Sequence, residues 1–580
     1  MLGVTRLILP DSRHMPGRAH PGALTTLVLA LPAAAILGAI VIWPVARVLV
    51  TSVFDHGTYV GLRHFHAALE QPGAWAAIGR TLLWGALVPA IVTTAGFGLA
   101  WQTRRGPTGR IATLVLVAPI ALPLVVTGIV FRLVYDPDPT RGPATGLTGV
   151  SFLSPRLVTI ALMSAFVWAW VGLALLVFRT ALDRVQPELA DVVRKLGGSG
   201  RDVFRDALWH PVMRRTFAMV FAVVALATMR SFDLILVMAP GSVLDEASVL
   251  GVLQWQTSAG SLNGPAAALG VIWLAIVGAA IAGAAWWTRQ RWPPPLTLAE
   301  ATPTPRDHEP AGPLALRTMR RTILLSASAL WLIPMVVLVG TSLQSPRSAA
   351  LFGWWHRPTT LDSYRRALDS GELTRSLVLT GVLAVVVACV VTGLALLAAY
   401  ATAWMDSPAA HVGGFALLGA AVVPVLVIAG PVDEVLRALH LANTSAGLAL
   451  VHIALGLPFG ILLLRNAFAD VDFQEIVEAR LVSDRPWQVV QRLAPNVVTT
   501  AVAVLVLEFI QVWDDFVVGL LFGGPDAMPL GALLHGGTRQ FVANSGPLAA
   551  SAVVASLVPL LAVLAARRHI VNGLVSGALR

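Results

Sequence analysis

Twelve apolar runs, most of them 20 residues or longer, punctuate the 580-residue chain. The first six fall at about 24–53, 75–101, 111–135, 157–178, 216–240 and 267–288. The second six fall at about 320–343, 376–404, 412–436, 446–464, 498–522 and 548–566. A helix needs about 20 apolar residues to cross the hydrocarbon core of a bilayer. Within that core every backbone polar group must be satisfied by the segment itself, which leaves helix as the form for such runs. The sequence therefore predicts an all-α polytopic membrane protein with about 12 transmembrane helices.

Charged residues make up only 12% of the chain, against about 25% in a soluble domain. The net charge of +10 is almost all arginine, since Lys195 is the only lysine. These arginines sit in loops between the runs, the placement of the positive-inside rule rather than a nucleic-acid surface. Cys389 is the single cysteine, so no disulfide or thiolate metal site can form within one chain. The stretch holding Arg6, Arg13 and Arg18 leads into a run reaching about Val53, too long for a signal peptide, and it reads as a retained first span.

The runs divide six and six around "RQRWPPPLTLAEATPTPRDHEPAGPLALR", 289–317, whose proline and charge cannot bury a core. The expected organisation is a first half at 1–290, a cytoplasmic linker at 291–316 and a second half at 317–580. With both termini in the cytoplasm, Arg104, Arg105, Arg110, the long polar loops, the linker, Arg567 and Arg568 all fall inside. The loop 241–266 carries Asp245 and Glu246 and no basic residue, as an outer loop should. Arg347, Arg357, Arg365, Arg366 and Arg375 fall outside, against that rule.

Each half places a long polar segment between its fourth and fifth runs: "QPELADVVRKLGGSGRDVFRDALWHP" (186–211) and "DFQEIVEARLVSDRPWQVVQRLAP" (472–495). Each opens with acids suited to a helix N-terminus, breaks near its middle, resumes amphipathic and ends at a proline. Two short helices joined by a turn are expected in each. From Pro211 to Phe232 is 21 residues, and so is the step from Pro495 to Phe516. That spacing aligns "RSFDLILVM" (230–238) with the second half's "WDDFVVGLL" and sets Arg230 against Asp514 and Ser231 against Asp515.

These polar segments resemble the E-A-A coupling segment of permeases of ATP-binding-cassette (ABC) importers. Glu188 and Gly197 match its pattern in the first half, and Glu475, Glu478 and Ala479 in the second. Asp191, Val192 and Val193 depart from it, as does Asp484, which stands near the usual glycine. "YVGLRHFHAAL" (59–69), "RLVYDPDPTRGPATGL" (132–147) and "RRHIVNGLVSGALR" (567–580), in this order, resemble the carbohydrate branch of maltose-type and glycerol-phosphate-type permeases, two subunits fused. The resemblance implies a type I importer permease fold and a bacterial inner-membrane location. It implies two ATPase subunits docked on the polar segments, an external solute-binding protein, and a carbohydrate moved by alternating access. It also implies ATP bound by the partners, and this chain has no G-x-x-x-x-G-K-[ST] loop. No enzyme activity, cofactor or metal site is expected in the chain itself. Permeases for polyamine, thiamine or iron are the alternatives within the class; a secondary transporter or a polytopic glycosyltransferase lies outside it.

Ionisable residues inside spans mark function by default. Candidate path residues are Thr228, Arg230, Ser231 and Asp233 on the fifth span and Trp168, Trp170 and Gly172 on the fourth. The resemblance places sugar contacts at Thr228 and Ser231. Trp168 and Trp170 equally suit packing or an interfacial belt. Asp514 and Asp515, in "IQVWDDFVVGLL" (510–521), are expected high in the central path, with Arg230 and Asp514 paired across a pseudo-twofold axis as a gate.

Overall fold

The computed structural model describes residues 23–104, 106–184, 211–258, 262–289, 314–356, 358–403, 408–482 and 485–578. Its first half is built from α1 (Ala23–Leu37), α2 (Trp43–Val53), α3 (Ala74–Thr103), α4 (Gly106–Val117), α5 (Leu124–Val134), α6 (Val158–Arg184), α7 (Pro211–Met229), α8 (Asp233–Met238), α9 (Leu250–Ser258) and α10 (Gly264–Arg289). The second comprises α11 (Leu314–Ser342), α12 (Glu372–Thr402), α13 (Pro408–Val422), α14 (Val425–Ala438), α15 (Ser445–Ala469), α16 (Phe473–Val482), α17 (Pro486–Asp514), α18 (Val517–Phe522), α19 (Leu530–Gly537) and α20 (Phe541–Ala578). Shorter helices fill the connections. The strands among the described residues are one two-residue pair, Phe54–Asp55 with Thr58–Tyr59, turned by His56 and Gly57, both at positive φ.

Among the described residues, nine helices are long and apolar enough to cross a membrane, and two bent pairs raise the number to as many as 11. The bent pairs replace the straight third spans expected at 111–135 and 412–436. In the first half the chain turns by 108° between Gly106–Ala121 and Leu124–Val134; in the second it turns by 101° between Gly413–Val422 and Val425–Ala438. Pro123 and Pro424 stand at the two corners, immediately before the second helix of each pair. Proline has no N–H to continue the ladder and drives its predecessor out of the helical region, and Leu122 is indeed extended, with ψ 130°.

The run expected at 216–240 is likewise interrupted. α7 is 19 residues long and stops at Met229, and α8 resumes at Asp233. In the second half α17 stops at Asp514 and α18 resumes at Val517. Both breaks lie where the 21-residue spacing aligns the halves. A buried hydrogen bond recurs too: the Leu250 backbone N–H donates to Thr81 Oγ1 over 2.8 Å, and Leu530 N–H to Thr380 Oγ1 over 2.9 Å.

The core explains how the halves hold together. One buried cluster is drawn mainly from the first half but includes Val337 and Leu338 of α11 and Leu548, Ala549 and Ala552 of α20. The other is drawn from the second half but includes Ala33 and Leu37 of α1 with Ile40 and Val41 beyond it. The first helix of each half is thus packed into the other half. Leu324 of α11 completes a third small cluster with Ala112, Leu116 and Leu175.

Candidate solute path at the contact of the two halves

Phe232 and Phe516, the residues aligned by the repeat, are fully buried and stack on each other, with ring centroids 6.3 Å apart and planes 22° from parallel. Each occupies the gap between two helices, where a side chain can leave the helix surface and reach across the interface. His535 packs on the Phe516 ring from α19, centroids 5.0 Å apart, and Trp255 of α9 meets Phe232 edge-on at 5.6 Å. The central contact is therefore an apolar plug made symmetrically by both halves.

Around the plug lie the charged residues singled out on the fifth and eleventh runs. Asp515 caps α18: its Oδ2 accepts from the backbone N–H of Val518 at 3.0 Å and of Gly519 at 3.2 Å. Such a carboxylate satisfies donors that the first turn leaves open. The same oxygen lies 3.8 Å from His452 Nε2 on α15, and Asp515 also feels the charge of Asp233 across the interface. Asp514 has a buried Oδ1 with no hydrogen-bond partner and its charged neighbour is Asp515. Arg230 has Asp233 as its charged neighbour. Asp233 stands at the start of the next helix, three residues beyond Arg230. Thr228 is buried and donates to the Ala225 carbonyl at 2.9 Å, within its own helix. Ser231 is buried with its Oγ unpartnered.

The fourth-span residues sit apart from this group. Trp168 Nε1 donates to the Trp331 carbonyl of α11 at 2.9 Å, and its ring meets Phe131 edge-on. Trp170 stacks on Phe166 with planes 2° apart. A Cβ at Gly172 would stand 2.8 Å from the Leu116 carbonyl oxygen, so glycine lets α6 approach the end of α4. Trp168 and Gly172 thus serve contacts between helices, whereas the Trp170 stack lies within α6.

Glu508 and His452 are buried ionisable residues near this contact that escaped the sequence reading. Glu508, mid-way along α17's apolar stretch, is 1% exposed with both carboxyl oxygens unpartnered. It faces Gly456 of α15 so closely that a methyl there would overlap the carboxyl. His452 lies one turn before Gly456 on the same helix and is 3% exposed. The lone acid in "AVLVLEFI" is the signal that marks Glu508.

In the second polar segment, α16 forms as expected, with Ala479 buried and Glu475 and Glu478 exposed. Its second arm differs. Instead of a short helix ending at Pro495, the chain from Pro486 runs without a break through Pro495 to Asp514 as α17. Asn496 Nδ2 donates to Glu475 Oε2 and ties the two helices. Arg480 reaches Tyr400 of α12, its Nη2 donating to the hydroxyl at 3.1 Å. Asp484, Glu188, Gly197 and the linker at 291–313 lie outside the described residues.

At the other end of the bundle the halves meet through a charged loop. Arg141 holds Asp136 at 3.1 Å and Asp138 at 3.0 Å and donates to the Ala350 carbonyl of the second half. The hydroxyl and backbone N–H of Thr140, both donating to Asp138, and then the Arg141 charge, hold the Asp138 carboxyl below the usual carboxylate range.

No family model matches the chain. Among curated proteins it is 28% identical over 273 residues to the osmoprotective compounds uptake permease protein GgtD of Synechocystis, a match covering 44% of this chain and 90% of that protein. It is 29% identical to the trehalose transport system permease protein SugB of Mycobacterium tuberculosis, over 38% of this chain and 82% of that one. To a probable ABC transporter permease protein of Pyrococcus horikoshii it is 28% identical over 42% of the chain and 91% of the relative. A solved bacterial ABC transporter involved in import of the acidic polysaccharide alginate aligns at 17% identity and a TM-score of 0.38, over 44% of this chain and 94% of that one. The chain is thus a relative of ABC transporter permeases, long enough to hold two of their lengths.

Proposed function

We propose that the chain is the membrane-spanning permease of an ABC importer for carbohydrate, with two permease units joined at the linker 291–316. The observation that carries this reading is the symmetric plug. Two spans, one per half, break at equivalent positions and present Phe232 and Phe516 to each other on the central axis. Such an arrangement opens when the halves rotate apart and closes when they return, as alternating access requires. The relatives carry α-glucosides and trehalose by their names, which favours a neutral saccharide over polyamine, thiamine or iron.

In this reading both termini are cytoplasmic, and two ATPase subunits dock on 186–211 and 472–495. Glu475 and Glu478 face outward from α16 toward the ATPase, while Ala479 packs α16 onto its neighbours. Because α17 is one unbroken helix from Pro486 to Asp514, a push on α16 reaches the plug as rigid-body motion over 29 residues, about 43 Å at 1.5 Å per residue. A solute-binding protein delivers sugar at the opposite end. As the plug parts, Thr228, Ser231 and Asp233 contact the solute. Arg230 leaves Asp233 for Asp514 in the alternate state, each charge offsetting the other's desolvation.

Reconstitution in proteoliposomes with the ATPase and binding protein tests the proposal. Saccharide uptake is expected to require ATP hydrolysis and to be uncoupled by Ala479→Asp, which puts a charge in the α16 packing face. Uptake that persists with a hydrolysis-dead ATPase rejects it.

A further inference from the structure

A cavity of about 190 Å³ opens between the halves beside the phenylalanine plug. One wall is α9 with Leu262 beyond it, and the other is α14 with Asn443 in the turn that follows. α15 runs from the cavity end of the bundle to α16, and its 25 residues separate the two by about 37 Å. The cavity therefore lies remote from the polar segment at 472–495, on the side from which a binding protein delivers solute in the proposed reading.

Its lining combines one aromatic ring with a balanced set of donors and acceptors. Trp255 lines the wall and carries its ring edge-on to Phe232, so the cavity wall and the plug share a contact. Gln254 is 2% exposed, and its side-chain carbonyl has no hydrogen-bond partner in the protein. Asp433 and Arg437 face it from α14, joined at 2.6 Å. Asn443 completes the rim. It holds φ 60°, and Gly524 sits so close that a Cβ there would stand 2.8 Å from the Asn443 Cβ and carbonyl oxygen. Left-handed backbone on a non-glycine residue is uncommon, and asparagine is among the residues that tolerate it.

The Arg437 charge is already matched by Asp433, so the site offers no net positive charge to an anion. What remains is a flat indole face for C–H groups, carboxamides at Gln254 and Asn443, and a carboxylate with a guanidinium for vicinal hydroxyls. The space, about 190 Å³, suits a single ring.

We propose that this cavity is a resting site for one neutral glycosyl ring, stacked on Trp255 and hydrogen-bonded to Gln254, Asp433 and Asn443, held until the plug parts beneath it. The inference rests on the permease reading and adds to it a site distinct from Thr228 and Ser231. It also assigns selectivity to the pocket: neutral saccharide is accepted and polyuronate is refused.

Saturation-transfer NMR on the full chain in nanodiscs, without ATPase or binding protein, tests it with trehalose, maltose and sucrose as probes and an alginate pentasaccharide as the charged comparison. At least one neutral disaccharide is expected to bind. Asp433→Asn and Asn443→Gly are expected to weaken it at least tenfold; glycine keeps the left-handed backbone and removes only the amide. Trp255→Phe is expected to retain part of the signal that Trp255→Leu loses. Thermal melting of each variant identifies any that fail to fold. Binding of none of the disaccharides, or unchanged affinity in folded Asp433→Asn and Asn443→Gly, overturns the pocket, as does preference for the pentasaccharide. Each result is separable from failure of the permease reading, which shows instead as uptake without ATP hydrolysis in the reconstituted assembly.

Discussion

Removing one ring of the Phe232–Phe516 stack is the sharpest perturbation the fold offers. Offset aromatic pairs are worth about 0.5–1.5 kcal/mol beyond the area they bury. At 1.4 kcal/mol per factor of ten, Phe516→Ala should raise the population of the parted state between about twofold and tenfold. Ser231 reports that population directly, because it adjoins Phe232 and is 3% exposed in the closed arrangement. The chain's only cysteine, Cys389, can be changed to alanine and Ser231 to cysteine, leaving a single thiol. Its reaction rate with a charged, membrane-impermeant thiosulfonate then measures access to the path. The expected result is a rate raised about two- to tenfold by Phe516→Ala, with Phe516→Leu intermediate because it refills part of the volume. The double change with Phe232→Ala should add less than the second single change does alone, since the pair term can be lost only once. An unchanged rate in a folded Phe516→Ala protein, or strictly additive effects, would show that the rings are packing alone and that no plug is there.

Other consequences can be measured on the same material. Glu508→Met should raise stability by about 1–3 kcal/mol, the usual cost of an unpartnered buried polar group, and abolish or slow uptake; a loss of stability would mean that the carboxyl has a partner. Gly172→Val should cost about 1–3 kcal/mol by overpacking α6 against the end of α4, read by thermal melting, and a neutral result would place the helices further apart. The depressed Asp138 carboxyl stabilises the fold above its unfolded value of 3.8 and loses that contribution as pH falls through its lower folded value. Thr140→Ala should therefore lower the melting temperature at pH 7 and leave it unchanged below both values, and equal effects at the two pH values would count against the hydrogen bonds as the cause.

Much of the architecture can be read from the chain because length and polarity alone define a span. The 21-residue step from each proline to each phenylalanine carries further: it pairs two positions 284 residues apart in sequence, and the fold puts those rings in contact. Bends are harder to read. Pro123 and Pro424 are visible as residues, yet prolines at 89, 334 and 458 sit inside continuous helices, so only tertiary context tells a corner from a kink. Asp514 and Asp515 look alike in sequence and separate in structure, since one backbone break makes Asp515 a helix cap and leaves Asp514 without a hydrogen-bond partner at one oxygen. Glu508 was missed for a related reason: a single acid in an apolar run carries no spacing to test, and only packing against Gly456 shows how completely it is enclosed. The cavity beside the plug is assembled from loops and helix ends of both halves, which no local pattern announces.

The exchange of first helices has a consequence for how the protein comes into being. α1 is synthesised first, but the cluster that buries it is supplied by α12, α15 and their neighbours, more than 300 residues later. Until then its apolar face has only lipid as company, and the first half lacks the α11 residues that complete its own core. Neither half is therefore a finished object when the ribosome leaves it, and the order of assembly runs from last contacts back to first. Joining the two in one chain makes that late closure a unimolecular event and fixes their ratio at one to one. A cell making this protein has no stoichiometry to balance and no orphan half to clear.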